Sequence, residues 1–428
     1  MKVALVNPPW SYEGSIYFGC REPHLPLELG YAAALLAAHG HETLMLDAPL
    51  QGLDDADLAA QVAAFGPDMT VVTTAPTYLF WRCAPPELRV PCATIRALRP
   101  MGGLMVAVGP HGSATPHPAL VKLGADVVVR GECEEAIALL ADAGSPDAIA
   151  GVAFRRADGD LVMGGPPREA AFVDAPALHW PDAWVTRHRH HHHRFDAAPL
   201  GPGAEVEASR GCPYACSFCA KIDFRDRYRR RRPDLLLAEI DGLIAQGVTY
   251  LYFIDEIFLP QRPLLEALAA RRVSFGVQTR IDLWKPEMLD LLGAAGCVSV
   301  EAGVESLSPE GRDALDKRCR LDTEALAGLL IRARQTIPFV QANLIASEGD
   351  DPDAIAAWRD RLQRHAVWAN DPVPLFPYPS SPDYHRLWGP PDDAAWERAH
   401  AYYLERHGKF SDIQDAAPLP LAVLEHPA

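Results

Sequence analysis

Ser209-Arg-Gly-Cys212-Pro-Tyr-Ala-Cys216-Ser-Phe218-Cys219-Ala220 places three thiols within eight residues, just after a short run, 205–208, that reads as a strand. A Gly- and Pro-containing loop of this length can wrap one corner of a cubane, and thiolate is the ligand type that iron–sulfur clusters require. Four irons and three cysteines leave one iron open to a substrate or cosubstrate. Zinc remains an alternative, but it would want a fourth nearby Cys or His. The nearest upstream histidine, His193, lies beyond a run of Pro and Gly, and no histidine follows until His365. Plain structural thiols are the third reading. Downstream of the loop, strand patterns at 250–254, 274–279, 298–302, 340–345 and 367–375 alternate with helical patterns at 233–246, 262–271, 286–295, 323–336 and 352–365. With 205–208 these make six βα units, which predicts a partial (β/α)6 barrel over 201–376, with its site at the carboxyl ends of the strands.

Working outward, the first ~145 residues show the same rhythm in a different fold. Strands are expected at 3–6, 43–46, 69–73, 104–108 and 126–129, with helical patterns between them. Continuous apolar strands imply a parallel sheet covered on both faces, here an α/β, flavodoxin-like, doubly wound domain over 1–145. Residues 146–200 are rich in Pro, Asp and Gly and read as a linker with one small hairpin near 151–163. They end in His188-Arg-His-His-His-His-Arg194, for which a solvated or substrate-facing role and a metal site are both open. Residues 377–428 form an aromatic, Pro-rich C-terminal extension with a helix expected at 394–407.

A net charge of -16 argues against nucleic acid as the main partner, although residues 225–232 form a local basic patch. That patch is expected either to dock an acidic electron donor or to be a solvated helix start. No apolar run reaches the ~18 residues of a membrane span, and the opening MKVALVNPPW does not read as a secretory leader, so a soluble cytoplasmic protein is expected. Of the nine cysteines, the six outside the cluster motif are scattered and read as buried or half-buried thiols rather than a disulfide framework.

The CxxxCxxC spacing after the first barrel strand, with Phe218 before the last cysteine, resembles the radical S-adenosylmethionine (SAM) superfamily. The resemblance implies a 4Fe–4S cluster on Cys212, Cys216 and Cys219, with the methionine end of SAM on the open iron and Phe218 beside the adenine. Its reductive cleavage in that family yields a 5′-deoxyadenosyl radical. By the same resemblance Asp255 and Glu256 lie around the methionine amino group, Gln278 and Arg280 reach its carboxylate, and Glu305 accepts from the ribose hydroxyls. Phe376-Pro-Tyr-Pro-Ser380-Ser-Pro-Asp-Tyr384 resembles a Tyr-Pro-Gly-Ser-Pro signature of cobalamin-binding members, with Ser380 at the glycine position.

The N-terminal half is similar to the cobalamin-binding domain fused to many such enzymes, although a flavin or nucleotide domain could share the architecture. The residues carrying this likeness are Asn7-Pro8-Pro9, the stretch from Leu25 to Gly30, Val108-Gly109-Pro-His111 and Val129-Arg-Gly131-Glu132. The family's Asp-x-His-x-x-Gly pattern is broken: Asp47-Ala-Pro49-Leu-Gln-Gly52 has proline where the cobalt-ligating histidine would stand. Either cobalamin does not bind or, as the resemblance implies, it binds without a histidine below, its lower face covered by the loop holding Thr74, Tyr78, Trp81 and Arg82. Packing against the linker is the competing role for that loop. The implied function is methylation of an unactivated carbon of a small molecule, with electrons from a flavodoxin- or ferredoxin-type donor. A non-methylating radical reaction, or a sensor or electron carrier, are the alternatives.

Overall fold

A strand with no polar side has to be covered on both faces, and Lys2–Asn7 (β1) lies inside its sheet with Val3, Ala4, Leu5 and Val6 wholly buried. The computed structural model describes all residues except 17–22, 78–83, 157, 189–200, 348, 407–417 and 427–428. On either side of β1 run Glu42–Asp47 (β2) and Met69–Thr73 (β3), followed by Leu104–Val108 (β4) and Val127–Val129 (β5), all parallel. The order 2-1-3-4-5 is the expected flavodoxin-like one, and its direction reverses between β1 and β3. The hairpin expected within 146–200 is present as Val152–Arg155 (β6) and Leu161–Met163 (β7). It extends the sheet antiparallel from the edge of β5, giving seven strands.

The rest of that segment, as far as it is described, is packed. Phe172, Trp180, Trp184 and Val185 are buried. Trp180 lies so close to the helix Leu27–Ala38 that a Cβ on Gly30 would come within 2.7 Å of the indole.

Gly203–Val206 (β8) begins the second sheet. Between it and the next strand, Ser209–Arg210 (β9) and Arg229–Arg230 (β10) pair antiparallel and tie off the loop that holds the three cysteines. Tyr250–Phe253 (β11), Ser274–Thr279 (β12), Cys297–Glu305 (β13), Phe339–Leu344 (β14) and Trp368–Ala369 (β15) complete six parallel strands in the order 8-11-12-13-14-15. Strands that follow one another without reversal, each with its return helix, make the open barrel that the alternation predicts. The helices start where local chemistry says they should: Pro233, Pro286 and Pro352 open theirs, and Asp322 and Asp351 cap N-termini. The last strand is shorter than the expected 367–375. Pro372 and Pro374 have no N–H to give to a ladder, and beyond Ala369 pairing is reduced to an isolated bridge between Ile345 and Val373.

The C-terminal segment returns to the first domain. Phe376, Tyr384, Trp396, Tyr403 and Leu421 form a separate apolar cluster with Ala84, and Ile16 and Ala114 pack against it. The helix Ala395–Arg406 sends the Trp396 indole N–H to Thr115 Oγ1 at 2.8 Å. No helix among the described residues is long and apolar enough to cross a membrane.

Candidate functional site

The cysteine loop leaves β9 through Gly211, whose φ of +76° suits glycine, and a Cβ there would sit 2.2 Å from the Arg227 carbonyl oxygen. Two acids at the end of β11 fasten this exit. Asp255 is buried and accepts from the Ala208 N–H at 2.8 Å and from the Ser209 hydroxyl. Burial pushes its carboxyl up to about 8. Glu256 accepts from the Gly211 N–H at 2.9 Å through Oε2. Its buried Oε1 has no hydrogen bond and is 3.6 Å from Arg225 Nη1. Asp255, expected at the methionine amino group, is thus spent on the loop's backbone, whereas Glu256 keeps one oxygen in hand.

Cys212, Cys216 and Cys219 are free thiols, half-buried on this one loop, with the Cys219 N–H bonded to the Cys216 carbonyl at 3.1 Å. Burial, and then the neighbouring Cys212, push Cys219 up to about 12, and Cys216 adds to the effect. Three thiols that discourage one another's ionisation need a positive centre among them to become thiolates. Phe218, between two of them, is half-buried.

Around the loop stand the ends of the next strands. Arg280, beyond β12, lies 4.1 Å from the Tyr214 ring centroid and pairs with Asp282 at 2.8 Å, while its buried Nη1 has no hydrogen bond. Gln278 gives its amide to Glu301 at 3.0 Å. Glu305 ends β13 at a φ of +71°, a costly conformation for a residue with a Cβ. It accepts from the buried Lys317 ammonium at 3.1 Å. Burial pushes the Cys216 thiol up, and Lys317 and Arg280 act against that shift, favouring the ionised form. Ser217 is clamped from the far side: its carbonyl accepts from the Asp383 N–H at 2.9 Å and its hydroxyl donates to the Asp383 carboxylate at 3.1 Å. The Ser380-Ser-Pro-Asp383 stretch therefore lies directly on the cysteine loop.

At the strand ends of the first domain, several expected cofactor contacts have other employment. Asp47 is fully buried, accepts from Asn7 at 3.0 Å and caps the short helix Ala48–Gln51 through the Leu50 N–H at 2.8 Å; Gly52 ends that helix at φ +70°. Pro49 sits in the first turn, so the Asp-to-Gly stretch makes a complete capped turn with no cobalt ligand in it. His111 is wholly buried, with Nδ1 3.1 Å from Thr74 Oγ1, Nε2 2.7 Å from the Pro85 carbonyl and its ring 4.7 Å from Trp396. Both of its nitrogens are spent. Gly109 starts the helix Pro110–Ala114, and Ser113 of that helix accepts from the Gly131 N–H at 2.8 Å, linking the ends of β4 and β5. Pro8 is buried and Pro9 half-buried after β1. Tyr78, Trp81 and Arg82 lie outside the described residues, so the expected cover for the lower face of cobalt falls there.

Glu132 and part of the basic run at 225–232 answer one another. Arg225, Arg229 and Arg231 are buried. Arg229 grips Glu132 with both terminal nitrogens at 2.8 Å, and Arg210 joins Glu132, Glu134 and Glu207 at 3.3, 2.7 and 2.9 Å. Arg225 reaches Glu207 at 2.7 Å and Arg231 reaches Glu239 at 2.8 Å. Burial works against the Glu132 charge, yet Arg210, Arg229 and Arg225 outweigh it and hold the carboxyl at about 2. Four residues that look like a surface patch and a cofactor contact in the sequence, Arg225, Arg229, Arg231 and Glu132, are thus in buried ion pairs, and those on Glu132 join the first domain to the barrel. Of the run's six arginines, Arg227, Arg230 and Arg232 face solvent, and Arg232 stands at the N-terminus of the helix Pro233–Ala245, so the exposed basic face is half of what the sequence suggests.

Residues 206–357, from the end of β8 to the last barrel helix, match the radical SAM superfamily. That stretch is a radical SAM domain. It carries the three cysteines at the family spacing. Among curated relatives, the hopanoid C-3 methylase of Methylococcus capsulatus is 28% identical over 383 residues, 84% of this chain and 68% of that one. An uncharacterised methyltransferase of Pyrococcus horikoshii is 25% identical over 72% of this chain and 66% of its own length. The anaerobic magnesium-protoporphyrin IX monomethyl ester cyclase of Cereibacter sphaeroides is 26% identical over 81% of this chain, and the match spans 56% of that protein. Among solved structures, the radical SAM methyltransferase TsrM of Kitasatospora setae, with tryptophan and a SAM analogue bound, superposes with a TM-score of 0.69 at 20% identity. The match covers 90% of this chain and 76% of TsrM. The cobalamin-dependent enzyme OxsB superposes at 0.64 over 80% of this chain and 49% of its own. These likenesses establish the two-domain fold of a radical SAM barrel behind a doubly wound domain.

Three residues around the cysteine loop were not singled out from the sequence. Tyr214 lies inside the quoted motif, but nothing local says that Arg280 will stack on it. Lys317 follows β13 by a dozen residues, and only the helical turn Pro309–Ala314 brings it back to Glu305. Asp383 was quoted within a signature without a partner, and its partner, Ser217, lies 166 residues away.

Proposed function

We propose that this chain is a cobalamin-dependent radical SAM enzyme that methylates an unactivated carbon of a small molecule. The observation that carries the reading is the three-thiol loop flanked by two buried, unsatisfied groups of opposite charge, Arg280 Nη1 and Glu256 Oε1. An all-sulfur donor set fits an iron–sulfur cluster with one open iron. A cation and an anion on either side of it fit an amino acid's carboxylate and ammonium. When bound, the cluster, SAM and cobalamin supply carbon-radical formation and methyl transfer.

The chain's own part is binding and orientation. Cys212, Cys216 and Cys219 hold the cluster, while Arg280 takes the methionine carboxylate and Glu256 its amine. Asp255 holds the loop exit, and Glu305, kept in place by Lys317, faces the ribose. Phe218 borders the adenine. Cobalamin lies over the carboxyl ends of β1 to β5, at the switch point between β1 and β3, where ligands of such sheets sit. Asn7, Thr73 and Thr74 give that edge a neutral polar lining. Neither Pro49 nor His111 would offer that cofactor a ligand, because proline cannot coordinate and both His111 nitrogens are engaged. The names of the methylase and methyltransferase relatives support the methylating reading, and the cyclases keep ring closure as the second. We place the enzyme in the cytoplasm, with a flavodoxin- or ferredoxin-type electron donor.

Products decide between the readings. Reduced without oxygen and given SAM, the reconstituted protein should form 5′-deoxyadenosine, and S-adenosylhomocysteine should accumulate in step with it once substrate is added. Deoxyadenosine alone would favour the cyclase-like reading. Neither product would end the proposal.

A further inference from the structure

His24, His188 and Glu205 meet in the interior, and the radical SAM reading does not use them. They come from three separate stretches: the loop before the helix Leu27–Ala38, the end of the segment after β7, and the first barrel strand, β8. All three are buried, with side-chain exposures of 8%, 0% and 0%. His24 Nδ1 is 2.6 Å from Glu205 Oε1, and His188 Nε2 is 3.2 Å from Glu205 Oε2. One donor atom from each lies within 4.8 Å of the other two.

The protonation of His188 can be read from its surroundings. Its Nδ1 is 2.5 Å from the Gly203 carbonyl oxygen, which only accepts, so Nδ1 carries the hydrogen. The lone pair of a neutral ring is then on Nε2, turned toward a carboxylate oxygen that also only accepts. Two such atoms 3.2 Å apart need a positive centre between them, either a second proton on the ring or a metal ion. A backbone carbonyl that fixes one ring nitrogen and aims the other is the usual support for a metal-bound histidine. The carboxylate presents one oxygen to each imidazole, so two nitrogens and a bidentate carboxylate make a four-donor set. The 3.2 Å separation is close to that of neighbouring ligands around an ion with bonds of about 2.0–2.2 Å, and the 2.6 Å one is a hydrogen bond that an entering ion would replace.

We propose that His24, His188 and Glu205 bind a divalent first-row transition metal, zinc by the chemistry of two imidazoles and a carboxylate. The burial of all three makes it a structural ion. It clasps the first domain and the segment after β7 onto β8, the strand from which the cysteine loop departs.

The complication for any test is the histidine run itself, since His190 to His193 can hold zinc as a peptide would. The probe is zinc retained by the cluster-loaded protein after dialysis against a weak chelator, in a background with His190, His191, His192 and His193 all changed to Gln. About one zinc per chain should remain there. Adding His24→Gln or His188→Gln should lower retention by about tenfold or more, with the cluster absorption unchanged. Zinc that disappears with the run, or that survives His24→Gln, overturns the proposal. Should the variants fail to fold, X-ray absorption at the zinc edge of the wild-type protein decides. Two imidazoles with oxygen neighbours support the site, and sulfur ligands, four imidazoles or no bound zinc overturn it.

Discussion

A buried histidine with both nitrogens engaged by neutral partners has to stay neutral, and His111 is that residue. Burial lowers it to about 4, against about 6.5 for an exposed imidazole. Between those values the unfolded chain binds the extra proton and the folded chain does not. The stability His111 contributes is therefore complete above pH 6.5 and falls away as the pH drops toward 4, by about 3 kcal/mol at most. His111→Gln, which keeps a donor and an acceptor but cannot titrate, should be less stable than wild type at pH 7.5 and close that gap on acidification. Denaturant midpoints across the range check this, and a gap independent of pH would contradict it. The same scale shows where a sequence is readable. Cys212, Cys216 and Cys219 declare themselves because their chemistry depends on one another across eight residues. Asp47 and Glu132 do not, because a lone acid looks the same whether it touches a ligand, caps a helix or grips an arginine 97 residues away.

Among the elements, strands whose burial pattern is set by the core were legible to within two residues, except that β13 runs three residues past the expected 302, and 274–279 matches β12 end to end. Apolar continuity survives any tertiary context. What failed was the end of the chain of strands, where the prolines at 372 and 374 interrupt an otherwise β-like run. The hairpin β6–β7 was visible as a hairpin but not as the edge of the first sheet, since pairing partners are not written in a strand's own residues. One element contact makes a sharper prediction. The helix Pro382–Trp388 begins by clamping Ser217 between two cluster ligands, through the Asp383 backbone and side chain. Asp383→Ala removes the side-chain half, worth about 1 kcal/mol. Cluster loss on exposure to chelator should quicken several-fold in that variant and much less in Asp383→Asn. Equal rates in all three would show that the clamp is incidental.

Over the whole molecule the two domains are joined by charge as well as by apolar packing. Glu132 and Glu134 reach across to Arg210, Arg225 and Arg229 at the root of the cysteine loop, and the C-terminal segment closes back over the ends of β4 and the loop at Ala84. Buried ion pairs add little net stability, but each half is costly to leave alone, so they fix how one domain meets the other. That placement sets the cysteine loop toward the strand ends where cobalamin would lie. None of this was legible, because the run at 225–232 reads as a surface when its acidic partners are distant in sequence. The account stands on two centres held by one chain, and electron paramagnetic resonance of an anaerobic sample containing both reads them together. We predict a Co(II) pattern without nitrogen splitting, and a reduced-cluster signal that shifts when SAM is added and is lost in Cys216→Ala. Nitrogen triplets on cobalt, or a cluster signal indifferent to SAM, would contradict it.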